Sequence, residues 1–279
     1  MVLFEKNKKT GQKTAVVSGA SGGIGRALCY QLRQRGYWVI GLSRQVNPAV
    51  DTAYVDCMLT CDLTDSKTIE DAARTIGNTC DSINLFVFCA GVISPQSVAT
   101  LEHGLATEQV QINLVGVMLL TNAILPMMAK GSHIIYTNSM AGIFPLAGSS
   151  VYSASKFGLR GFALALEQEL KPQQIHVSSI FPGSVNTSML ATEMEHGGSV
   201  LNFMSAPQEP EAIANWILSN GVGKHVENFP SSFDRLFCSL FLWSPRFLRL
   251  CLPFMTAWAK ASRTRYRKSL LKNRSGQSG

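Results

Sequence analysis

A glycine-rich loop between a predicted strand and a predicted helix is the feature that most constrains the fold of this chain. The apolar run at 14–17 has the composition of a buried strand, and the segment 26–32 has helical spacing. Between them lies the sequence SGASGGIG at 18–25. Glycines here allow a tight turn and let backbone N–H groups approach a pyrophosphate at a helix N-terminus. The loop therefore favours a dinucleotide site, although an ordinary glycine-rich turn explains an isolated match equally well.

A second motif, far downstream, pairs a phenol with an ammonium group. Tyr152 and Lys156 are four residues apart in a predicted helix, so they share one face. A free phenol has a pKa near ~10 and is a poor acid or base at neutral pH. We expect the neighbouring cation to lower that pKa and fit Tyr152 for acid–base chemistry. An isolated Y-x-x-x-K match is more simply a solvated helix pair, and the upstream glycine loop is what favours the catalytic interpretation.

Together the two motifs resemble the short-chain dehydrogenase/reductase family, over about residues 12 to 230. Ser18 stands where the family's T-G-x-x-x-G-x-G motif has threonine, a substitution that keeps the hydroxyl. The family's N-N-A-G segment matches 88–91, where both asparagines are missing and the alanine and glycine remain. Further matches follow in the family's order. They are Asp62, Asn113, Ser139, Pro182, Gly183 and Thr187.

The resemblance implies an oxidoreductase with four catalytic residues, Asn113, Ser139, Tyr152 and Lys156. Tyr152 would donate a proton to a carbonyl oxygen as a nicotinamide delivers hydride, or accept it in the oxidative direction. Lys156 would bind the ribose hydroxyls and lower the phenol pKa. Ser139 would hydrogen-bond the substrate oxygen, as an oxyanion donor does, and Asn113 would hold a water that links Lys156 to solvent.

The predicted cofactor site combines the glycine loop, the ends of the following strands and the catalytic helix. Its residues are Ser18, Gly19, Ser21, Gly23, Ile24, Gly25, Ser43, Arg44, Asp62, Leu63, Ala90, Gly91, Asn113, Tyr152, Lys156, Pro182, Gly183 and Thr187. No metal site is predicted, because Cys57 and Cys61 have no histidine or cysteine cluster around them.

The end of the second predicted strand favours NADP(H) as the cofactor. An acidic residue there would bind the ribose 2′-OH of NAD and repel a 2′-phosphate. No Asp or Glu occurs between Glu5 and Asp51, and the strand ends at Ser43 and Arg44. Arg44 offers a permanently charged, planar fork for a phosphate. The alternative is a solvated arginine that follows a strand.

The order of elements predicts an α/β fold, a Rossmann-like doubly wound parallel sheet of about seven strands. A chain of 279 residues is long enough for one full core. We assign 1–230 to a single catalytic domain and 231–279 to a C-terminal extension of amphipathic helices. The N-terminal lysines Lys6, Lys8 and Lys9 are expected to form a solvated arm. The predicted strands are 14–18, 37–42, 54–60, 84–89, 133–138, 175–181 and 224–229.

The C-terminal extension carries all of the excess positive charge. It holds ten Lys and Arg from Arg235 onward and no Asp or Glu, whereas residues 1–234 hold fifteen basic and eighteen acidic residues. A transmembrane span is disfavoured, because Arg246 and Arg249 lie within 236–258 and Pro245 and Pro253 interrupt that segment. We predict an in-plane anchor whose basic end attracts anionic lipid. Its apolar stripe is Phe233, Leu236, Phe237, Leu240 and Phe241.

The expected activity is NADP(H)-dependent reduction of a lipophilic ketone or aldehyde, such as a 3-keto lipid, a retinoid or a steroid. The family resemblance implies a lid at 188–206, and the methionines and leucines of that segment suit an adaptable apolar pocket. One alternative is a soluble carbonyl reductase or alcohol dehydrogenase for small metabolites, with the tail as an oligomer interface. The other is a non-catalytic protein that senses NADPH.

The expected partners are a membrane surface and further copies of the chain. The family resemblance implies a homodimer or homotetramer assembled through helices at about 100–127 and 151–170. Aromatic residues in the tail alternate with long aliphatic runs, unlike a stacking platform, so no nucleic-acid partner is expected. The expected location is cytoplasmic, peripheral on the cytoplasmic face of a membrane.

Overall fold

In a computed structural model of the protein, residues 2–5, 9, 11–47, 51, 53–223 and 225–275 are described. They form one eight-stranded sheet, in which seven strands run parallel and the first is an antiparallel edge strand. The strands are β1 Val2–Glu5, β2 Thr14–Ser18, β3 Trp38–Ser43, β4 Cys57–Thr60, β5 Ile83–Phe88, β6 Met128–Thr137, β7 His176–Ile180 and β8 Glu227–Asn228.

Helices cover both faces of the sheet. They are α1 Gly23–Gln34, α2 Ser66–Thr79, α3 His103–Val110, α4 Gly116–Ile124, α5 Ser150–Leu170, α6 Ser188–Glu195, α7 Pro210–Asn220, α8 Ser232–Trp243 and α9 Pro245–Ser275. Local chemistry fixes several starts: the Asp65 side chain accepts a hydrogen bond from the Lys67 N–H and caps α2, and Pro210 begins α7. A π-helical segment, Gln111–Val115, joins α3 to α4.

The strand order places the carboxyl ends of β2 and β5 side by side at the centre. The order is β1-β4-β3-β2-β5-β6-β7-β8, so the direction of winding reverses between β2 and β5. Ser18, the last residue of β2, pairs with Leu42 on one side and Phe88 on the other. In doubly wound sheets, ligands bind in the crevice at this reversal. The predicted glycine loop therefore begins at the position where a cofactor cleft is expected.

Two apolar layers sandwich the sheet, as period-two side-chain alternation requires. In β5, Phe86 and Phe88 face the layer that contains α2, α4 and α5, whereas Leu85 and Val87 face the layer that contains α1 and α7. All four are buried. The prediction of a doubly wound, Rossmann-like parallel sheet is therefore confirmed.

Two N-terminal details differ from the sequence predictions. Val2–Glu5 adds an antiparallel edge strand to β4, which was not predicted. The strand predicted at 54–60 begins only at Cys57, because the N–H groups of Tyr54 and Val55 turn back to the Asp51 carbonyl. Of the predicted solvated arm, Lys9 is exposed, and Lys6 and Lys8 lie outside the described residues.

The C-terminal helices pack onto the catalytic body. Phe241 of α8, together with Leu248 and Met255 of α9, shares an apolar cluster with Phe144 and Phe181 of the body. Pro253 was predicted to interrupt this region, yet it lies inside α9, a helix of 31 residues. Buried contacts of α9 on either side, at Leu248 and Met255, offset the backbone hydrogen bond that this proline cannot donate.

The predicted apolar stripe of the tail does not lie on one surface. Phe241 is buried and Phe237 half-buried, and their rings lie 5.2 Å and 6.3 Å from the Phe144 ring. Leu236 and Leu240 are exposed, whereas the side chain of Phe233 lies outside the described residues. The stripe is therefore shared between an inward and an outward face.

One helical stretch of the described residues is long and apolar enough to cross a membrane, and it lies outside the tail. It is His103–Met127, whose residues Ile112, Val117, Leu120 and Ile124 are buried in the core of the sheet. This burial identifies it as a core helix of the catalytic body.

Candidate active site

The glycine loop brings backbone against backbone at the end of β2. Gly19 has φ +68°, in the left-handed region that favours glycine. A Cβ added there would lie 2.7 Å from the Ala90 nitrogen, so a larger residue would push the loop away from β5. At Gly23, where α1 begins, an added Cβ would lie 2.8 Å from Cγ2 of Thr187. Both positions therefore need glycine, and the loop that they form ends at a helix N-terminus, where an anionic ligand can bind.

A cleft of about 570 Å³ follows this loop along the carboxyl ends of the strands. Thirteen of the predicted cofactor residues line it: Ser18, Gly19, Ser21, Gly23, Ile24, Gly25, Ser43, Arg44, Asp62, Leu63, Ala90, Gly91 and Thr187. The cleft volume, the side-chain-free glycine cradle and the helix N-terminus fit a dinucleotide.

Five predicted cofactor residues do not line this cleft. Asn113, Tyr152 and Lys156 are buried behind it, and Gly91 connects the two regions, since a Cβ added there would lie 3.3 Å from Asn113 Oδ1 and 3.9 Å from Lys156 Nζ. Pro182 is buried, and Gly183 is half-buried with Ser205 as its neighbour.

Some lining residues were not predicted. They are Gly22, Leu42, Gln45, Cys61, Cys89, Val92, Ile93, Ile112, Ser188, Met189 and Thr192. All of them except Thr192 lie within two residues of a predicted cofactor residue, so a margin of two residues around each motif would have included them.

The β3 end of the cleft is rich in hydroxyls and holds one arginine. The Ser21 and Ser43 hydroxyls lie 2.7 Å apart, and Arg44 is exposed beside them. Arg44 Nη1 lies 3.6 Å from Glu108 Oε1, in a loose surface pair that gains little energy. Asp62 also lines the cleft, and its Oδ1 accepts hydrogen bonds from the backbone N–H and the hydroxyl of Thr64.

Tyr152 and Lys156 lie one turn apart on α5 and are both buried. The Lys156 ammonium donates a hydrogen bond to the Thr137 carbonyl at 3.2 Å and lies 5.7 Å from the centroid of the Tyr152 ring. Thr137 ends β6, and Ser139, just after it, accepts a hydrogen bond from the Ala141 N–H at 3.1 Å. The end of β6 and the first turns of α5 thus bring three of the predicted catalytic groups together.

The predicted lowering of the phenol pKa is wrong for this structure. Burial raises the pKa of Tyr152 above its ordinary value, the negative charge of Glu193 raises it further, and the hydrogen bond with Ser139 lowers it. Burial also lowers the pKa of Lys156 to about 8. Lys156 is still mostly protonated at neutral pH, but its charge does not offset the cost of a buried phenolate. Tyr152 is therefore a neutral proton donor.

Asn113 fastens the loop after β5 to the catalytic helix. Its Oδ1 accepts a hydrogen bond from the Val92 N–H at 2.9 Å, and its Nδ2 donates to the Val92 carbonyl at 2.8 Å and to the Ser155 hydroxyl at 3.3 Å. It is fully buried within the π-helical segment Gln111–Val115, a deviation often found at functional sites. Its side chain is thus committed to holding the site in shape, and the water relay stays a prediction.

Cys89 occupies the position of a missing family asparagine and lines the cleft. Its Sγ lies 3.1 Å from the Thr137 hydroxyl. Burial raises the pKa of the Cys89 thiol to about 12, more than the Thr137 hydrogen bond and the charge of Lys156 lower it. The thiol is therefore protonated at neutral pH and is a poor nucleophile.

An apolar region extends from Tyr152 to the C-terminal helices. Ile93, Ala141 and Leu146 surround Tyr152, and Met189 and Leu201 of the lid segment pack on them. Leu201 also packs on the cluster formed by the C-terminal helices, with Met140 and Met204. The extension thus packs against the apolar residues around Tyr152, a contact that its amphipathic pattern alone did not indicate.

Comparison with known proteins agrees with this geometry. The family model described as short chain dehydrogenase matches residues 13–197. The chain belongs to the short-chain dehydrogenase family. It is therefore an oxidoreductase, and its fold and motif order are those of the family.

Two curated relatives and one solved structure illustrate the similarity. Carbonyl reductase family member 4 of Danio rerio is 34% identical over 212 residues, which are 74% of this chain and 90% of the relative. The 3-dehydrosphinganine reductase of Danio rerio is 26% identical over 249 residues, which are 83% of this chain and 74% of the relative. A short chain dehydrogenase from Burkholderia cenocepacia J2315, solved in complex with NADP, has a TM-score of 0.72 at 21% identity and covers 86% of this chain and 97% of its own. The last similarity concerns the fold alone.

Proposed function

We propose that this short-chain dehydrogenase uses NADPH to reduce a lipophilic ketone or aldehyde to an alcohol. The observation that carries the choice of cofactor is the β3 end of the cleft, where Ser21, Ser43 and Arg44 stand in place of an acidic residue. Arg44 can bind a 2′-phosphate bidentately, whereas a carboxylate would repel it. The loose pair with Glu108 leaves the guanidinium free to turn into the cleft.

The buried site fits Tyr152 as the general acid. When bound, NADPH would supply the hydride for the carbonyl carbon and be oxidised to NADP⁺. The phenol of Tyr152 gives its proton to the carbonyl oxygen, which completes the alcohol, and Ser139 donates a hydrogen bond to that oxygen as negative charge develops on it. Lys156 would hold the ribose hydroxyls and return a proton to Tyr152, and Asn113 keeps the loop after β5 in place.

The lining of the substrate side favours an apolar substrate. Tyr152 shares an apolar cluster with Ile93, Ala141 and Leu146, and Met189 and Leu201 pack against it; Ile93 and Met189 also line the cleft. Burial of alkyl surface against such a lining contributes roughly 25 cal/mol per Å². A long-chain ketone therefore gains binding free energy that a small polar metabolite does not. The relatives named as a carbonyl reductase and as a 3-dehydrosphinganine reductase support this class of reaction.

The outward faces of α8 and α9 support peripheral membrane contact. Leu236, Leu240 and Trp243 lie on one face of α8, and Phe247, Leu250, Phe254 and Trp258 recur at helical spacing in α9. Trp243 is 88% and Phe254 75% exposed, and Arg246 and Arg249 stand beside them. Bilayer interfaces accept this combination of large apolar side chains and arginine. A location on the cytoplasmic face follows as part of the proposal.

Assembly through α4 and α5 is the second interaction that we propose. Leu119 of α4 and Phe157 of α5 are 41% and 39% exposed on the catalytic body. Helix pairs with such apolar outer faces bury them against a second copy in a symmetric dimer. A homodimer, or a tetramer built from two of them, would cover both residues.

A cofactor titration combined with a substrate series tests the proposal. Because Arg44 would bind the 2′-phosphate, we expect NADPH to bind at least about tenfold more tightly than NADH, and Arg44→Ser to remove that preference. Glu108→Gln is the matched control, since it frees Arg44 and should keep or increase the preference. NADPH oxidation should increase along a series of ketones of rising chain length when vesicles are present.

Two results would contradict the proposal. A preference for NADH would refute the cofactor assignment. Equal turnover of short and long ketones, unchanged by vesicles, would favour a soluble reductase of small metabolites instead.

A further inference from the structure

The lid segment carries a carboxylate, Glu193, on the helix face of a residue that packs on the apolar cluster around Tyr152. Glu193 lies on α6 one turn after Met189, so the two residues share a helix face. Met189 packs in the apolar cluster around Tyr152. The Glu193 charge is also one of the causes that raise the pKa of Tyr152. Glu193 therefore occupies the substrate side of the site, although no sequence motif marks it.

The lid holds Glu193 in place through one carboxylate oxygen. Asn202 Nδ2 donates a hydrogen bond to Glu193 Oε1 at 2.6 Å, and the Gly198 N–H donates to the Glu193 carbonyl at 2.7 Å. Within the described residues, Oε2 accepts no hydrogen bond and no Lys, Arg or His nitrogen lies within 4.0 Å of the carboxylate. One oxygen thus positions the group and the other remains available.

The surroundings do not neutralise this charge. Burial raises the pKa of Glu193 to about 7, against the opposing effect of the Asn202 hydrogen bond. The Lys156 ammonium is committed to the Thr137 carbonyl, and Arg263 donates to the Met194 carbonyl at 3.4 Å. A half-buried carboxylate in apolar surroundings is costly unless a cation pairs with it. A ligand that brings the cation would recover that cost.

We propose that Glu193 binds a primary ammonium group of the substrate, so that the preferred substrates are lipophilic ketones with an amine close to the carbonyl. This inference rests on the proposed carbonyl reduction and specifies its substrate class. Tyr152 would hold the carbonyl oxygen while Glu193 Oε2 accepts a hydrogen bond from the ammonium. The lid residues Met189 and Leu201 would cover the alkyl chain. The two polar groups would thus fix the orientation of an otherwise apolar molecule.

Matched ketones test the assignment. The probes are two medium-chain ketones of equal length, one with a primary ammonium on the carbon next to the carbonyl and one with hydrogen there. The wild-type enzyme should reduce the amino ketone with a kcat/KM at least about tenfold higher. Glu193→Gln should lower the ratio of kcat/KM for the amino ketone to kcat/KM for the neutral ketone about tenfold, mainly through a higher KM for the amino ketone. Glu195→Gln removes the same charge from an exposed position of α6 and should change neither value.

Each outcome bears on one of the two proposals. Retained turnover of the neutral ketone by Glu193→Gln shows that the variant is folded and isolates the ammonium contact. Equal use of both ketones by the wild type, or equal losses on both in Glu193→Gln, would overturn the role of Glu193 while the proposed reduction stands. A wild type that reduces neither ketone would instead refute the proposed function, and this inference with it.

Discussion

At the scale of single residues, Tyr152 is deeply buried, and the Lys156 ammonium lies 5.7 Å from the centroid of its ring. We predict that Tyr152→Phe lowers kcat by a factor of about 10²–10⁴, because it removes the proton donor and keeps the ring. Ketone-dependent oxidation of NADPH measures the loss, and fluorescence titration should show NADPH affinity within about twofold of the wild type. Tyr30→Phe, at an exposed position of α1, is the control. Near-normal turnover by Tyr152→Phe would exclude the assigned role.

Glu193 should make stability depend on pH. Its pKa is raised from 4.5 to about 7, so the folded state binds more protons than the unfolded state between those values. Stability from this group is present below the unfolded value and is lost as the pH rises through about 7. Glu193→Gln does not titrate. We therefore expect its melting temperature, relative to wild type, to rise between about pH 5 and about pH 8.

The charged and titratable groups near Glu193 are common to both proteins. Tyr152 of α5 interacts with the Glu193 charge, and Arg263 of α9 donates to the carbonyl of the adjacent Met194. Parallel melting curves of the two proteins would contradict the raised pKa of Glu193, because only the wild type carries this carboxyl.

The sequence predicted the residues that belong to local motifs. Tyr152 and Lys156, or Ser18 and Gly19, sit at fixed spacing along one element, and such spacing survives into the fold. The raised pKa of Tyr152 depends on burial by residues distant in sequence, so the one-turn spacing to Lys156 gave the wrong direction. Glu193 lacked any signal for the same reason, since only folding brings the lid to α5.

At the scale of elements, side chains of α9 contact the lid segment that follows β7. Arg263 donates to the Met194 carbonyl and lies 5.8 Å above the Phe203 ring, Tyr266 packs 5.8 Å from that ring, and Trp258 Nε1 donates to the Met204 carbonyl at 3.3 Å. These contacts join residues 194–204 to residues 258–266 of α9. The extension therefore positions the substrate lid as well as presenting an outer surface.

Removing the contacts of Arg263 should loosen the lid segment. We predict that Arg263→Met, which keeps an apolar stem, raises KM for the ketone about threefold to tenfold while leaving KM for NADPH nearly unchanged. Amide exchange should accelerate in 188–204 and stay unchanged in the central strands. Arg249→Met is the matched control, because Arg249 is an exposed arginine of the same helix. Equal rates of amide exchange in 188–204 of both variants would show that Arg263 does not hold the lid segment in place.

Element type was predicted well where the pattern was local. The strand positions follow from short apolar runs bounded by turns, and β2 and β5 match their predicted ranges to within one residue. The edge strand β1 and the continuation of α9 through Pro253 were missed. Both depend on tertiary partners, namely the free edge of β4 and the apolar cluster under α9, which override local propensity.

At the scale of the whole molecule, the tail has an inner face that completes the body and an outer face that remains apolar. Removing 231–279 would uncover Phe144, Phe181 and Phe229, so loss of vesicle binding after truncation would not separate anchoring from misfolding. Substitutions on the outer face avoid this difficulty. Leu250 and Phe254 are suitable, because they are 67% and 75% exposed and lie on one face of α9.

We predict that the double variant Leu250→Asp/Phe254→Asp loses flotation with anionic vesicles and keeps wild-type activity on a water-soluble ketone. Two carboxylates at the interface would oppose both apolar insertion and attraction to anionic lipid, so the bound fraction should fall at least about tenfold. Val98→Asp places a new charge at an exposed valine outside the tail and should leave flotation unchanged. Undiminished flotation of the double variant would exclude the outer face of α9 as the membrane contact. A shift to smaller particles on sedimentation without vesicles would instead show that this face covers a second copy of the chain.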